Sequence, residues 1–246
     1  MTAFWNGVGS IAAHAGGKMA AKQGFFTKDT FQFFRDLKRN NHKDWMDANR
    51  DRYQAVVVQP LRKLMEEMAP AVLKLDTRFE TTGRRGANLS RINNDIRFSK
   101  DKTLYKTHMY LKFSVPVSAD LESGQLYTGI STDVVTAGFR MYGGSKRKES
   151  PLALIADARI AKNPRWLGQQ KKRLGRKYES YWYSMTKGKW TQRNGWPKNA
   201  EWPKVQAWIV RRKYSPGVAM RSRFPSELAK LYRDVFPLLR FVSLPD

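Results

Sequence analysis

The sequence predicts an α+β fold, with N-terminal helices, a central and mainly antiparallel sheet, and C-terminal helices. Three observations predict it. Apolar residues recur at helical spacing through the first third, the period changes to two from Arg91, and helical patterning returns at Ser150. Blocks of helices and blocks of strands, rather than alternating βα units, are the pattern of an α+β domain.

The chain opens with MTAFWNGVGSIAAHAGGKMAAKQG, residues 1–24, which is rich in small residues and free of acids. It lacks the charged start and apolar core of a secretory signal, and reads as a flexible tail. Residues 25–246 read as one domain. In TKDTFQFFRDLKRNN, Thr27 suits a helix N-cap, and Phe31, Phe34 and Leu37 fall on one face. Asn40 and Asn41 stop that helix, and the Asn41 side chain is expected to cap the next one. Trp45 and Tyr53 then share a face and should pack on the Phe31 and Phe34 helix. Pro60 should end or kink this second helix. Leu61, Leu64, Met65, Met68 and Val72 form a further stripe, with a second kink expected at Pro70.

After TTGRRGANLS, a basic loop, the alternation is that of a half-buried strand. Ile92, Ile96 and Phe98 point one way, and Arg91, Asn93, Asp95, Arg97 and Ser99 the other. Lys100, Asp101 and Lys102 make a charged turn. Tyr105, Thr107, Met109, Leu111 and Phe113 then oppose Lys106, His108, Tyr110 and Lys112. GQLYTGISTD and VVTAGFRMYGG read as two more strands, the latter followed by a basic turn, SKRKES. In SPLALIADARIAKNP, Ser150 can cap and Pro151 suits the first turn of a helix with Leu152, Ile155 and Ile160 inward. PKVQAWIVRRKY and PSELAKLYRDVFPLLRFV read as helices with proline starts.

Composition narrows the chemistry. Zero cysteines among 246 residues exclude disulfides, thiolate catalysis and cysteine zinc sites, and suit a reducing cytoplasm. No apolar run is long enough to span a bilayer, so no membrane insertion is expected. Forty-six Lys and Arg against 21 Asp and Glu leave a net charge of +25, which draws polyanions because neutralising phosphates releases counterions. From Arg140 to Arg193 stand fifteen cations against three acids. They interleave with Trp166, Tyr178, Tyr181, Trp182, Tyr183 and Trp190, a mixture suited to single-stranded nucleic acid if the rings are exposed, or to a core with a basic rim if they are buried.

The densest candidate site is RINNDIRFSKDKTLYKTH, residues 91–108, with five Lys or Arg against two aspartates. Arg91, Arg97, Lys100, Lys102 and Lys106 are the anion-binding candidates, the arginines as planar forks and the lysines as point charges. Asp95, Asp101 and His108 are the catalytic candidates, as base, metal ligand or, for the imidazole, a group that titrates near neutrality. The two aspartates could hold Mg²⁺ with substrate phosphates. No HExxH, histidine pair, EF-hand loop or Walker loop is present, and no metal or cofactor is assigned.

Two blocks resemble a known family. FFRDLKRNNHKDWMDANRDRY and RINNDIRFSKDKTLYK are similar to the helical and FSKDK motifs of the family called domain of unknown function 2461. Asn94 stands where that family usually has arginine, and Leu104 where it has proline. The resemblance implies a fold boundary and a focal region, and implies no reaction.

The expectation is a protein that binds a phosphate-bearing ligand, nucleic acid foremost, or a phosphorylated small molecule. The alternatives are an enzyme using Asp95 or Asp101 beside an Arg91–Arg97 clamp, and a structural hub with Asp95 buried between those arginines.

Overall fold

The computed structural model describes residues 24–84, 86–97, 100–116, 124–143, 150–186 and 188–243. The N-terminal stretch, Phe98, Ser99 and all but the last residue of SKRKES, expected as a basic turn, fall outside them.

Helix α1 (Lys28–Arg39) starts at Thr27, whose backbone N–H donates to Thr30 Oγ1 at 3.1 Å. It buries Phe31, Phe33, Phe34 and Leu37. The next cap is not Asn41. Helix α2 (Lys43–Ala48) is capped by His42, whose Nδ1 accepts from the Trp45 N–H at 3.4 Å. Asn41 is thereby released for a partner 64 residues away, described below.

Helix α3 (Arg50–Tyr53), a π-helical turn (Gln54–Val58) and helix α4 (Gln59–Leu73) follow one another directly. Pro60 does not end this run. It lies in the first turn of α4, beside a π turn where the hydrogen-bond ladder has already changed register, with the Gln59 N–H bonded to Gln54 O. Trp45 and Tyr53 pack on α1 as predicted, each with its ring centroid 5.6 Å from that of Phe33.

Among the described residues, six strands form one antiparallel sheet in the order β1-β2-β3-β6-β4-β5. They are β1 (His108–Phe113), β2 (Gln125–Ser131), β3 (Val135–Tyr142), β4 (Glu179–Thr186), β5 (Lys189–Asn194) and β6 (Val205–Tyr214). Between β3 and β4 come α5 (Pro151–Lys162) and α6 (Trp166–Leu174), and after β6 come α7 (Pro216–Ala219) and α8 (Phe224–Ser243). The architecture is α+β, as predicted. Ser150 caps α5 by accepting from the Ala153 N–H at 3.3 Å, although Ile155 faces outward and Ala153 and Ala156 take the inner face.

One predicted helix is a strand. PKVQAWIVRRKY forms β6, inserted between β3 and β4. Val205 to Val210 are all buried, and a run buried throughout, apolar but for Gln206, does not separate strand from helix by period alone. The β4–β5 hairpin was masked in the sequence by its charge. It turns at Gly188, which adopts φ 74°, a conformation glycine reaches without steric cost.

One face of the sheet packs on α8, α4 and α1, and α5 packs behind it on α8. Met109, Leu111, Phe113, Phe139 and Trp208 point into this core, and the Tyr232 hydroxyl of α8 shares a 2.8 Å hydrogen bond with Thr128 Oγ1 of β2. The hydrophobic cluster on the opposite face is built from strand residues, Tyr127, Ala207 and Ile209, with Tyr110, Tyr181 and Tyr183 packed against them.

Candidate nucleic-acid interface

The motif strand expected from Arg91 is an irregular ribbon. Residues 88–94 run antiparallel to 104–112, through Ser90 N–H to Tyr110 O, Lys106 N–H to Ile92 O and Asn94 N–H to Leu104 O, yet only isolated bridges result. Ile92 and Tyr105 are buried, while Arg91, Asn93, Asp95 and Arg97 are exposed, so the alternation survives without a regular ladder. Two asparagines anchor it. Asn41 Nδ2 donates to Tyr105 O at 2.8 Å, and Asn41 Oδ1 accepts from the Tyr105 N–H at 2.9 Å. Buried Asn88 donates to Glu80 O and Lys112 O and accepts from the Gly83 N–H.

The charged side chains of the ribbon do not form one clamp. Arg97 makes a two-pronged pair with Asp95 at 2.9 and 2.7 Å, which holds the Asp95 carboxyl at about 2. Both are exposed, so Asp95 is not buried between Arg91 and Arg97. Asp101 accepts from the backbone and hydroxyl of Thr103. Lys102 Nζ donates to Ile96 O, and Lys106 Nζ to Arg91 O and Asn93 O. These ammonium groups hold the ribbon's own carbonyls. Lys100 is exposed. Arg91 points elsewhere, into a cleft of about 400 Å³ that it shares with Arg50 and Arg62. Among the described residues no cluster of three His, Asp or Glu side chains is placed to hold a metal ion, and no helix is long and apolar enough to cross a membrane.

The residues matched by the family described as conserved hypothetical protein (DUF2461) run from 29 to 241, taking in the ribbon and all six strands. The chain belongs to this family. No curated protein matches it.

In this DUF2461 member the open sheet face gathers what the linear sequence scattered. His108 and Tyr110 come from β1, Tyr127 from β2, Arg140 and Tyr142 from β3, Arg211 from β6, Tyr181 and Tyr183 from β4, and Trp190 from β5. The Arg140 guanidinium lies 4.5 Å from the Tyr110 ring centroid, 4.8 Å from Tyr127 and 5.7 Å from Tyr142. It also donates to Gln125 Oε1 at 2.9 Å. Arg211 lies 4.8 Å from Tyr181; it pairs with Glu179, which Lys213 also reaches at 2.9 Å. Tyr181 to Tyr183 and Tyr183 to Trp190 continue edge-to-face at 5.9 and 5.8 Å. The array crosses the full sheet, about 24 Å at ordinary strand spacing.

Local sequence makes this face possible. Tyr110 pairs across the ladder with Gly129, and a Cβ there would meet the Tyr110 ring at 2.4 Å. Glycine lets the ring lie down on the backbone, where it meets Arg140. Tyr142 is 38% exposed and Trp190 40%, so the array offers exposed ring surface.

Electrostatics follow from the packing. Burial pushes the Tyr181 hydroxyl up to about 12, and raises Tyr110 and Tyr127 as well, so the tyrosines stay neutral hydrogen-bonding rings. His108 sits edge-to-face on Tyr110 at 5.1 Å. Burial, then Lys106, then Arg140 hold its imidazole below the ordinary range, so it is neutral at pH 7.

The aromatic run from Trp166 to Trp190 therefore divides between the two readings. Trp166 stacks on Phe241 at 3.6 Å, and Tyr178 and Trp182 are buried, while Tyr181, Tyr183 and Trp190 belong to the open face. Tyr110, Tyr127 and Arg140 were not singled out as site residues. Their one sequence signal is the polar-facing side of the alternation in each strand.

Proposed function

We propose that this protein binds single-stranded nucleic acid across the open face of its sheet. The observation that supports this is the array of aromatic rings and guanidinium groups spanning β1 to β5 on a face whose hydrophobic cluster is built from strand residues. Bases stack on such rings without regard to sequence, each contributing about 1–3 kcal/mol. Arg140, Arg211 and Lys213 would follow the phosphates, aided by a net charge of +25. The ribbon extends the β1 edge, so the exposed Lys100 would lengthen the track. A duplex hides its base faces and gains nothing from the rings.

The test is fluorescence anisotropy with labelled single-stranded RNA, single-stranded DNA and duplex of equal length, titrated with salt. The expected order is single strand tighter than duplex. Tyr142→Ala and Trp190→Ala should each weaken single-strand binding by about 1–3 kcal/mol. Arg140→Gln should reduce the slope of log affinity against log salt by about 0.7. Duplex bound as tightly as single strand, with no effect of the two aromatic substitutions, would leave only nonspecific charge and end this reading.

A further inference from the structure

We infer that the cleft between the π-bulged helix and the ribbon is a second site, which binds a small phosphorylated molecule with a flat apolar body. It lies on the other side of the ribbon's chemistry from the sheet array, and the inference does not depend on nucleic-acid binding.

The cleft's size, about 400 Å³, falls in the range of sites for small ligands. Its floor is apolar: Leu89, Ile92 and Met109 are each less than 5% exposed, and Tyr53 lies beside them with its hydroxyl directed to Met109 Sδ at 3.0 Å. Its rim is cationic. Arg50 and Arg62 stand on the helix and Arg91 on the ribbon, and among the described residues no acid lines the cleft. Arg50 pairs with Asp47 outside it, at 2.8 Å. No hydrogen bond or ion pair within the described residues engages the guanidinium of Arg62 or Arg91, and both are exposed. Gln54 and Asn93 add neutral polar groups beside the cations. An apolar floor under a rim that holds two unpaired guanidinium forks among the described residues, Arg62 and Arg91, fits a ligand with a ring at one end and a dianion at the other.

The π turn explains why these side chains share a wall. Arg50, Gln54, Val58 and Arg62 are four residues apart. In a regular α-helix each step of four overshoots a full turn by about 40°, so the series would drift around the helix. The wider π turn at Gln54–Val58 takes back part of that rotation and returns the row to the cleft. Such bulges frequently sit at functional sites. Arg91 is brought opposite by the ribbon, which Lys106 ties through Arg91 O and Asn41 ties through Tyr105.

The experiment is isothermal titration of the full chain with phenyl phosphate and with AMP, beside phenol, adenosine and inorganic phosphate. Saturable binding of at least one of the two phosphorylated ring compounds is expected, about tenfold or more tighter than either of its parts. Arg62→Gln and Arg91→Gln each remove a charge-assisted contact from an exposed position and should leave the fold intact, checked by thermal melting. Each should weaken binding about tenfold or more. Neither should alter the difference between single strand and duplex, whereas Trp190→Ala should leave phenyl phosphate binding unchanged. The inference is overturned if neither phosphorylated compound saturates by about 5 mM, a concentration that already detects weak sites. It is equally overturned if binding persists in the two arginine variants, or if adenosine binds as well as AMP.

Discussion

Replacing Asn41 by alanine tests how the ribbon is held. The amide makes two bonds to one residue, donating to Tyr105 O at 2.8 Å and accepting from the Tyr105 N–H at 2.9 Å. Tyr105 is 5% exposed, so alanine would strand a backbone donor and an acceptor with poor access to water. Each lost bond removes about 0.5–1.5 kcal/mol net, and an unsatisfied buried group costs about 1–3 kcal/mol. Both bonds are only partly buried, so water recovers some of this, and the total works out at about 2–3 kcal/mol. In a chain of this length 1 kcal/mol lowers Tm by about 2–4 °C, giving a drop of about 4–12 °C. Asn40→Ala is the comparator, because it loses one local bond, from Asn40 Nδ2 to Asp36 O at 3.0 Å, and should cost about 1 kcal/mol. Urea and thermal unfolding of both variants decide the matter. If Asn41→Ala is no less stable than Asn40→Ala, the amide clamp is not what docks the ribbon on the helices.

Three further outcomes are expected. Gly129→Ala should displace the Tyr110 ring, cost about 1–3 kcal/mol by overpacking, and weaken single-strand binding without changing charge; unchanged melting and binding would contradict the close approach seen in the structure. Tyr232→Phe should cost about 1–3 kcal/mol, because the buried Thr128 hydroxyl loses its 2.8 Å partner; urea unfolding reads this, and a neutral result would mean the bond adds nothing. For His108 the folded pKa lies below the unfolded value of 6.5, so between those two values the unfolded chain binds more protons. Its stability contribution is complete above pH 6.5 and is lost as pH falls toward the folded value, by at most about 1.4 kcal/mol per pH unit. The stability difference between the wild type and His108→Gln should therefore change across that window in favour of the variant, and a parallel pH dependence of the two would refute the assignment.

What the sequence by itself determined is local. The Thr27 and Ser150 helix starts, the alternation of β1 to β3 and the stripes of α4 and α8 follow from spacing and capping chemistry within a few residues. The excess of cations is likewise a property of composition. The tertiary structure decided whatever depended on a distant partner or on burial of both faces. β6 lies in mid-sheet with Ala207 and Ile209 buried beneath the tyrosines of the open face, so its run from Val205 to Val210 carries no period of burial, and only its neighbours β3 and β4 make it a strand. Asn41 could cap a helix locally, but its amide matches the backbone of Tyr105, and two bonds outweigh one. Arg97 and Asp95, two residues apart, pair with each other, while Arg91 joins Arg50 and Arg62 because the ribbon folds back on a helix whose π turn no residue pattern announces. Tyr110, Tyr127, Arg140 and Tyr181 lie on four strands, and sheet order alone makes them neighbours. Side chains three or four residues apart are constrained by the backbone between them. Those tens of residues apart meet only when packing places their elements together.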